Sequence, residues 1–224
     1  MGKFVVTNPW LALPDRPPYV LPQDKAYVCA FNRALAKTAS DYWINLDQTP
    51  EPRLGPISAP VIVLQLNPSY SKSEALPQTD RERAERNLAS IKNEDREHLG
   101  VSRPDAWWTP RLRQLANDVG SGPLLANRIC SIEFFPYRSR RFSHGCIRLP
   151  SQTYTFSLVR SGIERGALFI VTRNVRLWLA AIPELQDRLN NKVFTLNNPQ
   201  STYFTESNLP AGVYRQLVDA IVNG

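Results

Sequence analysis

The chain has 224 residues, 42% of them hydrophobic, which is enough for one well-buried domain and does not demand a second. Its 27 Lys and Arg against 20 Asp and Glu leave a net charge of +7, a balance that favours an acidic partner such as nucleic acid. Three widely spaced cysteines, Cys29, Cys130 and Cys146, suggest neither a disulfide framework nor a zinc or iron–sulfur ligand set. No apolar run approaches the roughly 20 residues that span a bilayer. The first residues lack a signal-peptide core, and Val6 stands where a myristoylation motif needs Ser or Thr. A cytoplasmic, unanchored protein without metal or cofactor is expected.

Residues 1–22 are rich in Pro and hold Trp10 and Tyr19, the composition of an extended arm. Asp24 is placed to cap a helix over 25–38 with Tyr27, Phe31 and Leu35 as its apolar stripe, and residues 39–59 read as a proline-rich return. Residues 1–56 are thus an extension packed on a core domain of residues 57–224. That core opens on Val61-Ile62-Val63-Leu64-Gln65-Leu66, an apolar run bounded by Pro60 and by the turn Asn67-Pro68-Ser69-Tyr70-Ser71. Continuous apolar character predicts a parallel strand buried on both faces. Asn67 then lies at its carboxyl end, the edge where open α/β sheets bind ligands.

Thr79 and Glu82 make a capping box for a charged helix over about 80–97, with Ala84, Leu88 and Ile91 as its buried stripe. Thr109 and Pro110 begin a helix with Leu112, Leu115, Ala116 and Val119 on one face and Gly120 at its end. A second strand, 128–135, stops at Pro136. The loop from Tyr137 to Arg148 then carries Arg138, Arg140, Arg141, His144 and Arg148 and no acid. Ser151 caps a helix reaching Arg165, a third strand covers 167–172, and Asn174 caps a short helix with Val175, Trp178, Leu179 and Ile182 facing inward. The fourth strand, 193–196, leads into a second Asn-Pro turn, Asn198-Pro199-Gln200-Ser201. Ser207 begins the last helix, whose inner residues are Val213, Leu217, Val218 and Ile221. Strands alternating with helices predict right-handed crossovers and a three-layer α/β/α fold around a four-stranded parallel sheet, with the two Asn-Pro turns sharing one crevice.

The order of these elements and the two turns resembles the uracil-DNA glycosylase superfamily. In its mismatch-specific and single-strand-selective branches the first loop reads Gly-x-Asn-Pro-Gly, and Gln65-Leu66-Asn67-Pro68-Ser69 stands in that place, with both glycines replaced. The second loop, often His-Pro-Ser or Asn-Pro-Ser-Gly, is matched by Asn198-Pro199-Gln200-Ser201. The segment Trp107-Trp108-Thr109-Pro110-Arg111-Leu112 is similar to the aromatic-led helix between the loops. The resemblance covers roughly residues 57–222. It implies DNA as partner and metal-free hydrolysis of the N-glycosidic bond of a flipped-out base.

By this resemblance Asn67 holds the attacking water through an amide that both donates and accepts, and Asn198 is its counterpart in the second loop. Gln65, Pro68, Tyr70 and Trp107 belong to the base pocket, where an aromatic ring can stack on a base. Tyr203 or Phe204 is the wedge that enters the minor groove beside Ser201. The base-reading position, usually Asn, falls on Glu133. An ionised carboxylate there accepts from uracil N3–H but repels O4 unless protonated.

Each residue also has a plainer reading. Asn67 before proline makes a tight turn, the aromatics after the second turn fold back onto the domain, and Glu133 pairs with a nearby arginine. The loop with Arg138, Arg140, Arg141, His144 and Arg148 either grips phosphates or is an ordinary solvated loop. Dinucleotide-binding, Walker, nucleophile-elbow and zinc-helix signatures are missing from the sequence. Three functions therefore stand side by side: a DNA glycosylase, a non-catalytic nucleic-acid-binding protein, and a hydrolase of free nucleosides or nucleotides.

Overall fold

The apolar runs become strands of one sheet in the computed structural model, which describes residues 7–35, 37–70, 81–103 and 105–224, with the backbone alone at 37, 38, 81–84 and 86. The strands are β1 (Arg53–Leu54), β2 (Val61–Gln65), β3 (Ile129–Glu133), β4 (Leu168–Val171) and β5 (Val193–Thr195). The helices are α1 (Lys25–Ala34), α2 (Arg81–Lys92), α3 (Leu99–Ser102), α4 (Trp108–Val119), α5 (Gly122–Arg128), α6 (Gln152–Glu164), α7 (Val175–Ala181) and α8 (Val213–Asn223). The sheet order is β1-β3-β2-β4-β5. β2 pairs parallel with β4 and β4 with β5, while β1 runs antiparallel to β3.

The protein is therefore α/β with a mixed five-stranded sheet, where an all-parallel four-stranded one is expected from the sequence. The extra strand has only two residues, between Pro52 and Gly55, too short for an alternation to register. Gly55 permits it: its φ is +98°, and a Cβ there would lie 2.2 Å from the carbonyl oxygen of Ile129. Gly55→Ala is expected to cost about 2 kcal/mol or more through strain and overlap, read as a lowered urea midpoint with unchanged slope.

The chain forms two compact units: Met1–Pro52 with Leu66–Asn93 and Glu133–Ser157, and Arg53–Gln65 with Glu94–Ile132 and Leu158–Gly224. The second unit carries the sheet up to Ile132. Side chains alternate along its strands: Val61, Val63, Leu168 and Ile170 join Leu112 and Leu115 of α4, Leu125 of α5 and Leu217 and Ile221 of α8 in one core. Ile62 and Phe169 lie instead against Gly162 of α6, where a Cβ would come 2.3 Å from Ile62 Cδ1. Every residue of β2, β3 and β4 is buried.

Helix faces follow their periodicity, while several ends differ from expectation. α4 begins at Trp108, because Asp105 Oδ1 accepts the amides of Trp107 (2.8 Å) and Trp108 (2.7 Å); Gly120, at φ +70°, ends it as expected. The short helices α3 and α5 have no counterpart in the sequence reading, α5 being capped by Ser121, which accepts from Leu124 N. α8 starts at Val213, since Glu206–Asn208 is a separate 3-10 turn, and it buries Val213, Leu217 and Ile221. The capping box at Thr79 and Glu82 lies outside the described residues, but Leu88 and Ile91 of α2 are buried as expected.

In the first unit, Trp10, Val28, Phe134, Phe135 and Tyr137 are fully enclosed. Asp24 does not cap α1 with its side chain. Its carboxylate instead accepts from Tyr137 Oη (2.8 Å) and Ser151 N (3.1 Å), while Tyr137 Oη accepts from Leu21 N (3.1 Å). This network is buried and ties the arm to the segment after β3. It also turns α1 so that Val28 faces inward and Tyr27 stays 48% exposed. Ser151 takes part through its amide, and its hydroxyl has no partner.

Candidate functional site

In the first unit the chain leaving β2 and the chain leaving β3 lie side by side, joined by Phe135 N donating to Leu66 O at 2.8 Å. The half-buried Asn67 follows directly. Its Nδ2 donates to Ser139 Oγ (2.9 Å) and to the carbonyls of Ser139 and Pro68 (3.3 Å each), and Ser139 Oγ donates on to Arg141 O (2.9 Å). Carbonyls only accept, so this network fixes the amide with Nδ2 inward and leaves Oδ1 as the atom offered to a ligand. Pro68 is buried beneath the turn and Ser69 exposed. Tyr70 is half-buried; burial raises its phenol first, and a hydrogen bond from Asn45 opposes that shift.

Glu133, the last residue of β3, is 4% exposed, and its Oε2 has no hydrogen-bond partner. It makes no ion pair among the described residues. Burial in the first place, and the neighbouring Glu51 in the second, push its carboxyl well above the usual range, against a smaller opposing effect of Arg138. The ion pair expected of Glu133 forms elsewhere: Arg138 Nη2 binds Glu51 at 2.6 Å, its Nε donates to Thr49 O (3.0 Å), and its Nη1 to Ser69 O (3.1 Å). Arg138 thus braces the first Asn-Pro turn. Two carboxyls in one unit consequently differ in setting: Glu51 is ion-paired with Arg138, while burial favours the protonated form of Glu133.

The basic loop after β3 has several of its cations tied to acids of the same unit. Arg138 is buried on Glu51, and Arg140 and Arg141 both meet Asp41. His144 is fully buried, stacked on Phe135 at 4.6 Å with Nε2 on Tyr42 O (2.9 Å), and burial lowers it to about 4. It is a neutral aromatic core group rather than a cation. Arg148 remains exposed over the Phe134 ring. A twelve-residue stretch without acids is partly neutralised by two acids about a hundred positions earlier in the chain, Glu51 and Asp41, a signal that composition along the sequence cannot carry.

In the second unit the loop after β5 is cross-braced by Asn208. Its Oδ1 accepts from Asn198 N (2.8 Å), and its Nδ2 donates to Ser201 O and to Tyr203 O (2.9 Å). Asn198 itself is exposed, and its Oδ1 closes an Asx turn on Gln200 N (3.1 Å). The two aromatics of the loop part ways: Phe204 is 0% and Tyr203 41% exposed, so only Tyr203 can act as a wedge. Arg111 lies over the half-buried Trp107 ring at 4.2 Å and over Tyr203 at 5.6 Å, with Nε on Thr202 Oγ1 (2.9 Å). Gln65, at the end of β2, is buried, and its carbonyl accepts from Trp178 Nε1 (3.1 Å).

Glu51, Ser139, Asn208, Arg111 and Arg173 are functional candidates that sequence reasoning passed over: all but Asn208 acquire their role through a partner distant in the chain, and Asn208 acquires its own by bracing the irregular loop just before it. Among the described residues no group of three or more His, Cys, Asp or Glu is placed to hold a metal ion, and no helix is long and apolar enough to cross a membrane. No family model, no curated protein and no solved structure matches this chain.

Proposed function

We propose that the protein is a DNA N-glycosylase of the uracil-DNA glycosylase type, in which β2, β3, β4 and β5 form the parallel core of a three-layer fold. The observation that carries this reading is the buried Glu133 carboxyl at the end of β3, whose Oε2 has no hydrogen-bond partner among the described residues, in the same unit as an Asn67 amide locked by Ser139. Asn67 Oδ1 accepts a hydrogen bond from the attacking water and aims its lone pair at the sugar carbon. Glu133, whose carboxyl burial holds well above its usual range, offers in its protonated form one acceptor and one donor side by side. That pair complements a base edge presenting N–H next to C=O, as in uracil or hypoxanthine. A neutral acid used as a donor in an apolar site is an established way to read or polarise a carbonyl.

The test is base release from duplex and single-stranded oligonucleotides carrying uracil, hypoxanthine, xanthine or mismatched thymine. Wild type is expected to release a base with the N–H and C=O edge. Asn67→Ala is expected to lose about 10²-fold or more in rate, the scale of a misplaced reactant. Oligonucleotide binding with no release from any substrate would leave a non-catalytic binding protein. A second reading, hydrolysis of free nucleosides or nucleotides, is favoured by the engagement of Arg138, Arg140 and Arg141 in internal ion pairs with Glu51 and Asp41. Release from a nucleoside at a rate equal to that from DNA would select it.

A further inference from the structure

The loop after β5 is flanked by two guanidinium groups that form no ion pair among the described residues. Arg173, exposed just beyond β4, donates Nε to Pro199 O (3.0 Å) in the second Asn-Pro turn. Arg111, on α4, donates Nε to Thr202 Oγ1 (2.9 Å) and Nη1 to Trp107 O (2.7 Å). Asp105, the acid nearest Arg111 in the chain, accepts from the amides of Trp107 and Trp108 and acts on Arg111 through space without an ion-pair contact. The two cations feel each other: burial lowers Arg111 first, and Arg173 lowers it further against the opposing influence of Tyr203 and Asp105.

Two like charges near one loop repel each other, and a bound anion relieves that repulsion. Beside them the Tyr203 ring is 41% exposed and already carries Arg111 at 5.6 Å. Asn208 fixes that ring's backbone through Tyr203 O (2.9 Å), so the aromatic is presented in one place rather than on a mobile tip. Guanidinium forks suit phosphate oxygens, and an exposed ring beside them suits a base that has left its stack.

We propose that Arg173, Arg111 and Tyr203 form a nucleic-acid strand site, the two arginines taking phosphodiester oxygens and Tyr203 stacking on an adjacent unstacked base. The site rests on the nucleic-acid part of the reading above and replaces the loop after β3 as the main phosphate contact. Arg173 is the outer ligand, with its Nη groups unengaged, whereas Arg111 also holds the loop in shape.

Fluorescence anisotropy of a labelled oligodeoxythymidine and of a matched duplex, titrated across salt concentration, tests this. Arg173→Gln is expected to weaken binding of the single strand and to reduce the slope of log K against log salt by about 0.7. Tyr203→Ala is expected to weaken binding with the slope unchanged. Arg141→Gln, in the partly neutralised loop, and Arg215→Gln, on α8, are expected to bind as wild type. A wild-type slope and affinity in Arg173→Gln overturns the proposal, as does the absence of oligonucleotide binding by the wild type. Base release by wild type, retained with unchanged KM for DNA in Arg173→Gln, removes this site and leaves the glycosylase reading standing. Arg173-dependent binding without base release does the reverse.

Discussion

Glu133→Gln is expected to be more stable than wild type at pH 7, and the difference is expected to vanish below about pH 4. The unfolded Glu133 titrates near the ordinary 4.5, while the folded group is held well above that value, chiefly by burial and then by Glu51. Between these two pKa values the unfolded chain binds fewer protons than the folded one. Stability therefore falls as pH rises through this window, by about 1.4 kcal/mol per pH unit, and levels off once the folded group ionises. Glutamine is neutral at every pH and removes the slope. Urea denaturation of both proteins from pH 4 to pH 8 measures it, and a pH-independent difference would sink the claim that Glu133 is buried as an acid.

Activity separates the two protonation states independently. Glutamine keeps one donor and one acceptor at the same place, so Glu133→Gln is expected to release a base bearing adjacent N–H and C=O groups at a rate within about tenfold of wild type. Glu133→Leu removes both hydrogen bonds and leaves the base edge unpaired, a loss of about 10³-fold or more by analogy with sites built to read polar groups. Were the ionised carboxylate the working form, taking amino donors, glutamine would fail along with leucine.

Phe204→Ala is expected to destabilise the protein by about 3–5 kcal/mol, while the neighbouring Tyr203→Ala costs about 0.5 kcal/mol or less. Phe204 is fully buried in the core of the second unit, with Leu112, Leu209 and Leu217 in the same cluster, and its amide donates to Arg111 O at 3.0 Å. Removing the ring leaves a cavity among strand and helix side chains that cannot collapse onto it. Tyr203 is 41% exposed and loses its contact with Arg111 without opening an enclosed cavity. Thermal unfolding of the two variants checks the contrast. Equal losses would mean that both rings are interior and that neither serves as a wedge.

The same pair of residues marks how far the sequence could be read. That one of Tyr203 and Phe204 faces outward follows from their adjacency in extended chain. Which one does so is decided by α4 and the sheet, which supply the hydrophobic surface that Phe204 covers. Asp24 and Ser151 likewise look like helix caps, as their types suggest. The buried hydroxyl of Tyr137 draws Asp24 inward, and Ser151 follows through its amide. A local propensity worth about 1 kcal/mol yields to a buried carboxylate that must be satisfied.

By itself the sequence determined the α/β class, the four longer strands, α4 with its glycine end, and the inner face of α8. Each of these rests on apolar periodicity or on a terminator read within a few neighbouring residues. Only the tertiary structure decided the two-residue strand β1, the ion pairing of the arginine loop with Asp41 and Glu51, the burial of Glu133 beside Glu51 and the placement of Arg111 and Arg173 around one loop. All of these depend on partners far apart in the chain, whose proximity is set by how strands and helices pack and leaves no periodic trace in the sequence.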